Sequence, residues 1–201
     1  MLNNSPQSSI ANLINEDVIS DLKSKKHRNL EFFQVSSFKF AVMATCTLGL
    51  YEFYWFYKNW ELTKIREESK IIPLLRAFFS FIFCFSLISK IRDRGVTKGL
   101  ELTFGLNSSH HKFKCSVWLV CIPWISTSLM LYSSKPIWWL SLFAWIYLLP
   151  AVRLVNDITK LVSPDSDKNS SFSVWNWLAI VLGGTCVVLN IGQEILALFE
   201  S

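Results

Sequence analysis

Few side chains in this sequence have both the type and the surroundings that chemistry needs. Glu52 stands alone among rings in Thr47-Leu-Gly-Leu-Tyr-Glu-Phe-Tyr-Trp-Phe-Tyr-Lys-Asn-Trp60, and Arg76 interrupts the apolar run that follows. A lone charge in hydrocarbon costs at least roughly 2.5–3.5 kcal/mol on insertion scales, so such groups seek partners. Glu52 and Arg76 are therefore candidates for an intramembrane ion pair; the alternative is that each snorkels separately to the membrane boundary. Asn190, Gln193 and Glu194 are further polar groups within or beside apolar stretches. His110, His111 and Glu101 share one loop, but no nucleophile stands beside them in a catalytic pattern. The five cysteines (Cys46, Cys84, Cys115, Cys121, Cys186) form no CxxC, and no Cys/His spacing suits zinc. Buried free thiols behave as small hydrophobes. No catalytic residue, cofactor or metal site is expected, and the chain reads as a non-enzyme.

The elements that carry these residues are apolar. Hydrophobic residues make up 51% of the 201 and charged ones 17%, with a mean hydropathy of +0.33, high for a water-soluble globule. The expected fold is all-α: a polytopic integral membrane helical bundle of about five hydrophobic helices. The runs are Phe40–Tyr57, Ile71–Ser89, Cys115–Tyr132, Ile137–Val155 and Val174–Gly192. The first two are near the minimum of about 17–20 residues for a spanning helix and each carries a charge, so they either span or form a shallow hairpin. Pro123 should kink the third run. The turn Ser133–Pro136 is so short that the flanking helices must be antiparallel neighbours. Pro150 is expected to lie within a helix that continues through Arg153, Asn156, Asp157 and Lys160, and Ala179 with Gly183 offers a small-residue contact face, either internal or between copies.

Four regions result: a polar, basic tail (1–37), an aromatic helical hairpin (38–90), a basic loop (91–114) and a three-helix membrane segment (115–201). Tail residues Ile10, Leu13, Ile14, Val18, Ile19 and Leu22 recur at helical spacing, which suits either a surface helix or a solvated leader. Tyr51, Tyr54, Trp55, Tyr57 and Trp60 are expected at the membrane interface, where rings with polar edges are favoured.

Sixteen of the twenty Lys and Arg precede residue 115, in segments flanking apolar runs. That pattern belongs to membrane loops; a nucleic-acid groove needs a basic folded polar surface, so no nucleic acid is expected. If all five runs span, the side holding the tail carries fourteen Lys and Arg and the opposite side six. Basic residues mark the cytoplasmic side, so the N-terminus is expected inside and Ser201 outside.

The stretch Thr47–Tyr57, extended by Lys58-Asn-Trp60 and by Pro73…Arg76-Ala-Phe-Phe79, resembles an uncharacterised bacterial integral membrane-protein family, a domain of unknown function with a Tyr-Trp aromatic helix, a charged linker and a second apolar helix. The likeness covers roughly residues 38–90. It implies a multi-pass protein of the bacterial inner membrane and carries over no activity. Three function classes follow: a non-enzymatic membrane protein acting through partner or lipid interactions, a small transporter or channel using Glu52 and Arg76, and, last, a membrane enzyme. The partners implied are the lipid bilayer and either a second copy of the chain or another membrane protein.

Overall fold

A computed structural model of the chain describes residues 31–104, 113–114, 116–130, 138–164 and 169–199. The tail helix, His110, His111, Cys115 and the turn 133–136 lie outside the described residues. Helices dominate. They are α1 (Ser37–Cys46), α2 (Leu50–Arg66), α3 (Pro73–Phe78), α4 (Ser80–Val96), α5 (Val117–Leu129), α6 (Trp145–Val162) and α7 (Val174–Phe199), with a 3-10 segment at Trp138–Phe143. A two-residue antiparallel pairing, β1 (Thr103–Phe104) with β2 (Phe113–Lys114), closes the loop after α4.

The first apolar run is not one helix. Ser36 caps α1 by accepting the Lys39 N–H at 3.3 Å. The helix ends at Thr47, where Leu48 and Gly49 take positive φ (51° and 86°) and the Gly49 N–H reaches back to the Ala44 carbonyl at 2.9 Å. Glycine adopts that left-handed conformation without a Cβ clash. The Thr47 hydroxyl bridges the joint, donating to the Met43 carbonyl at 2.6 Å and accepting the Tyr51 N–H at 3.0 Å. Helix α2 then continues nine residues past Tyr57 to Arg66, through the expected linker. The second run is also divided: Pro73 opens α3 at a position where its missing N–H is not needed, Phe79 interrupts, and α4 extends to Val96 into the expected basic loop.

Among the described residues, two helices have the length and apolar composition to cross a bilayer, Trp139–Val162 and Val174–Gln193, against the five runs expected from sequence. Helix α5, with 13 residues, is about 20 Å long against a hydrocarbon layer of about 30 Å. Pro123 and Pro150 both lie inside helices, as the sequence suggested.

The core lies between α1, α2, α4, α5 and α6. Trp55, Phe56 and Trp60 of α2, Leu87 and Ile88 of α4, Val120 and Trp124 of α5, and Leu148, Val152, Val155 and Ile158 of α6 are all essentially inaccessible. Gly95 in α4 sits against Leu154 of α6 and is part of this packing. The segment Phe32–Ser36 is strapped across the bundle by side-chain amides. Asn59 accepts the Phe33 N–H at 3.0 Å, and Asn156 binds both backbone groups of Val35, at 3.3 and 2.9 Å. The end of the tail region is thus packed, with Phe32 and Val35 buried.

Helix α7 differs from the rest. Its main contact is with α1, and none of its apolar window is buried. At the closest approach, a Cβ built on Gly183 would lie 1.9 Å from the Cys46 carbonyl oxygen. The Ala179/Gly183 face is therefore an internal contact.

Candidate functional site

Helix α2 turns a stripe of side chains inward at i, i+3/i+4 spacing: Glu52, Trp55/Phe56, Asn59/Trp60 and Thr63 are all buried. The chemistry-bearing member is Glu52. Its carboxylate accepts the indole N–H of Trp124 from α5 at 2.5 Å. The Trp124 ring is held in place by Phe81, stacked at 5.5 Å and 25°, and by Phe56 at 5.1 Å. Glu52 and Trp124 line a small cavity of about 40 Å³ with Phe53, Phe81, Ser128 and Ser141, room enough for water. The buried Ser128 hydroxyl has no hydrogen-bond partner among the described residues, so it is an open polar group lining the same cavity as the carboxylate.

Arg76 does not reach Glu52. Its guanidinium lies over the Trp60 ring at 4.4 Å and near Phe83 at 5.2 Å, an arrangement favoured by the ring quadrupole. The physical reason is depth: Trp60 is two turns beyond Glu52 along α2, about 12 Å at 1.5 Å per residue, and α3 packs at that far end. An ion pair between the two residues is thus replaced by an indole–carboxylate bond and a cation–ring stack.

The expected aromatic collar is also rearranged. Tyr51, Trp55 and Trp60 are buried inside the bundle; Tyr54 is exposed and Tyr57 half-buried. Tyr51 packs edge-on to Phe40, as does Trp55, so these rings make core contacts, although Tyr51 also lines the pocket beside Lys39. Exposed indoles stand elsewhere, at Trp118, Trp139, Trp175 and Trp177.

A second polar centre forms where α1, α2 and the start of α7 meet. Lys39 is buried although its neighbours in sequence are Phe38 and Phe40. Its ammonium donates to Asn169 Oδ1 at 2.9 Å and to the Ser171 carbonyl at 2.8 Å. The ring of Phe172 lies 5.8 Å away. An open pocket of about 490 Å³ adjoins it, lined also by Tyr51, Tyr54, Trp175 and Asn176.

A third group, at the other end of α2, is charge-rich: Lys90 pairs with Glu67 at 2.8 Å, and Arg94 and Lys98 flank Glu31. Arg66 donates to the Glu31 carbonyl at 2.6 Å and covers the Phe32 ring. Burial holds its pKa below the ordinary value, against the raising pull of Glu67. Among the described residues no group of three His, Cys, Asp or Glu converges as metal ligands would. Asn190 bonds to the Cys186 carbonyl of its own helix at 2.8 Å, and neither it nor Gln193 lines the Glu52 cavity.

Searches against protein-family models, curated proteins and solved structures give no match to this chain.

Lys39, Trp124, Asn59 and Asn156 were not singled out from sequence as site or structural centres. The inward stripe of α2 was open to detection, because Glu52, Phe56, Asn59 and Thr63 repeat at helical spacing. Trp124, beside Pro123 in an uncharged run, carries no local signal for a carboxylate partner.

Proposed function

We propose that this chain is a small multi-pass integral membrane protein without enzymatic activity, acting through contacts with lipid and with a membrane-protein partner or a second copy of itself. The observation that carries the reading is α7: twenty residues, Val174–Gln193, with mean hydropathy 1.7 and none buried. Water would be in contact with Val181, Leu182, Val188 and Leu189, and a patch of that extent marks a membrane or partner surface. Exposed Leu74, Phe78, Ile82, Trp118 and Ile122 continue the apolar surface onto α3, α4 and α5. In this reading α6 and α7 cross the bilayer, the shorter α1 and α5 are embedded beside them, and basic residues keep the N-terminus on the cytoplasmic side. A bacterial inner-membrane location is part of this proposal and rests on the sequence resemblance of residues 38–90 alone.

Fractionation tests this directly. The full chain should stay with membranes after alkaline carbonate washing and be released only by detergent; recovery as a folded monomer in buffer would overturn the proposal. Reporter fusions after residues 35, 65, 100, 134, 165 and 201 then assign sides.

A second reading, a small transporter, is favoured by one observation: the buried Glu52 carboxylate opens on a cavity shared with Ser128. It predicts that Glu52→Gln abolishes a proton or cation flux in proteoliposomes. No difference between variant and native flux removes it.

A further inference from the structure

We infer that the pocket beside Lys39 binds the anionic phosphodiester headgroup of a phospholipid whose acyl chains lie along α7; the inference rests on the membrane reading above and names its ligand. Lys39 is about 96% buried by its 4% relative exposure. Its acceptors are neutral: Asn169 Oδ1 and the Ser171 carbonyl, joined at 3.0 Å by Asn176 when that amide is turned with its oxygen toward the ammonium. Among the described residues no carboxylate lies within ion-pair distance. Neutral dipoles hold the ammonium in place, no carboxylate among the described residues cancels its charge, and that charge borders the adjoining pocket.

The pocket has the volume and the polarity for a headgroup. At about 490 Å³ it falls in the range of small-molecule sites, and the phenols of Tyr51 and Tyr54 add donors that suit phosphate and glycerol oxygens. Its rim decides for a lipid over a free anion. Trp175, 79% exposed, stands at the mouth, and from there Leu178, Val181 and Leu182 run down α7 as an uncovered apolar track. A charged floor opening onto an apolar track is the shape of an amphiphile, and an indole at the junction belongs at headgroup depth.

The test uses the full chain, purified in a neutral detergent and stripped of lipid. Short-chain phosphatidylglycerol, short-chain phosphatidylcholine and inorganic phosphate are titrated in turn, with binding read by native mass spectrometry. Phosphatidylglycerol should bind at least about tenfold tighter than phosphatidylcholine, because its headgroup carries a net negative charge toward the ammonium whereas choline adds a cation that opposes it. Lys39→Gln should erase that preference, Lys39→Arg should keep most of it, and Lys90→Gln, at a surface ion pair remote from the pocket, should change nothing. If Lys39→Gln does not fold, Tyr54→Phe and Trp175→Ala at the exposed rim give the same readout, each expected to weaken phosphatidylglycerol binding several-fold. Equal binding of the two lipids, inorganic phosphate competing at the same concentration as the lipid, or full preference in the rim variants overturns the inference. A chain that remains in the membrane fraction yet shows no preference sinks the headgroup site alone, whereas a chain recovered from buffer without detergent sinks the membrane reading as well.

Discussion

The candidate spans that contain α6 and α7, of 24 and 20 residues, have similar mean hydropathy (1.4 and 1.7), yet their surroundings are opposite. In the α6 candidate span, Trp139–Val162, 44% of the apolar window is buried by protein; in the α7 span, none is. The difference lies in where the polar groups sit. Helix α6 turns Leu148, Val152, Val155 and Ile158 inward at helical spacing and adds Asn156, which grips the Val35 backbone. Helix α7 spreads apolar residues around its circumference and meets α1 through a glycine. Hydropathy alone ranks the two together; periodicity separates a helix that packs against protein on one face from one whose solvent must itself be apolar.

Substitutions can break or sharpen that contrast. The largest effect is expected for Val152→Asp in α6, fully buried in the core. An unpaired carboxylate there should cost more than about 4 kcal/mol, read as loss of a cooperative melt in detergent. Leu182→Lys on the uncovered face of α7 should leave that melt nearly unchanged and weaken membrane insertion by roughly 2.5–3.5 kcal/mol, measured by partitioning of α7 in an insertion assay. A large loss of melting stability would mean that α7 packs as α6 does. Gly183→Val drives a side chain into the Cys46 carbonyl; a cost of about 1–3 kcal/mol and a wider α1–α7 separation in double electron–electron resonance are expected. Asn156→Ala removes both bonds to Val35 and should cost about 1–3 kcal/mol, with faster hydrogen exchange at the Val35 amide. The smallest change runs the other way: Gly192→Ala, with nothing within 4 Å of the added methyl, should stabilise α7 by about 0.5–1 kcal/mol.

Helix α7 was legible in the sequence because a long uncharged run opened by Trp175 and Trp177 has few other readings. The continuation of α6 through Pro150 was legible for a related reason, since Arg153, Asn156 and Lys160 keep helical spacing beyond it. The division of Phe40–Tyr57 was not: a hydropathy window averages over Leu48 and Gly49, and the joint is set by two backbone angles and one threonine hydroxyl. The aromatic cluster misled in a specific way. Composition marks Tyr51, Trp55 and Trp60 as ring-rich, but only their position on the same face as Asn59 and Thr63 tells that they point to protein. The pairing of Glu52 with Arg76 failed because it assumed two full-length antiparallel rods, whereas α3 is six residues long and meets α2 near Trp60. Trp124 as the carboxylate's partner depends on a contact 72 residues away in sequence, which local reasoning does not supply.

The amides of Asn59 and Asn156 hold peptide groups, and every residue type except proline presents the same N–H and C=O to such a grip. The grip on position 33 therefore survives a change of side chain there, even though the edge contact of Phe33 with Tyr54 at 5.7 Å would be lost. A short synthetic peptide carrying that main-chain pattern should restore the bundle of a chain truncated before Ser36.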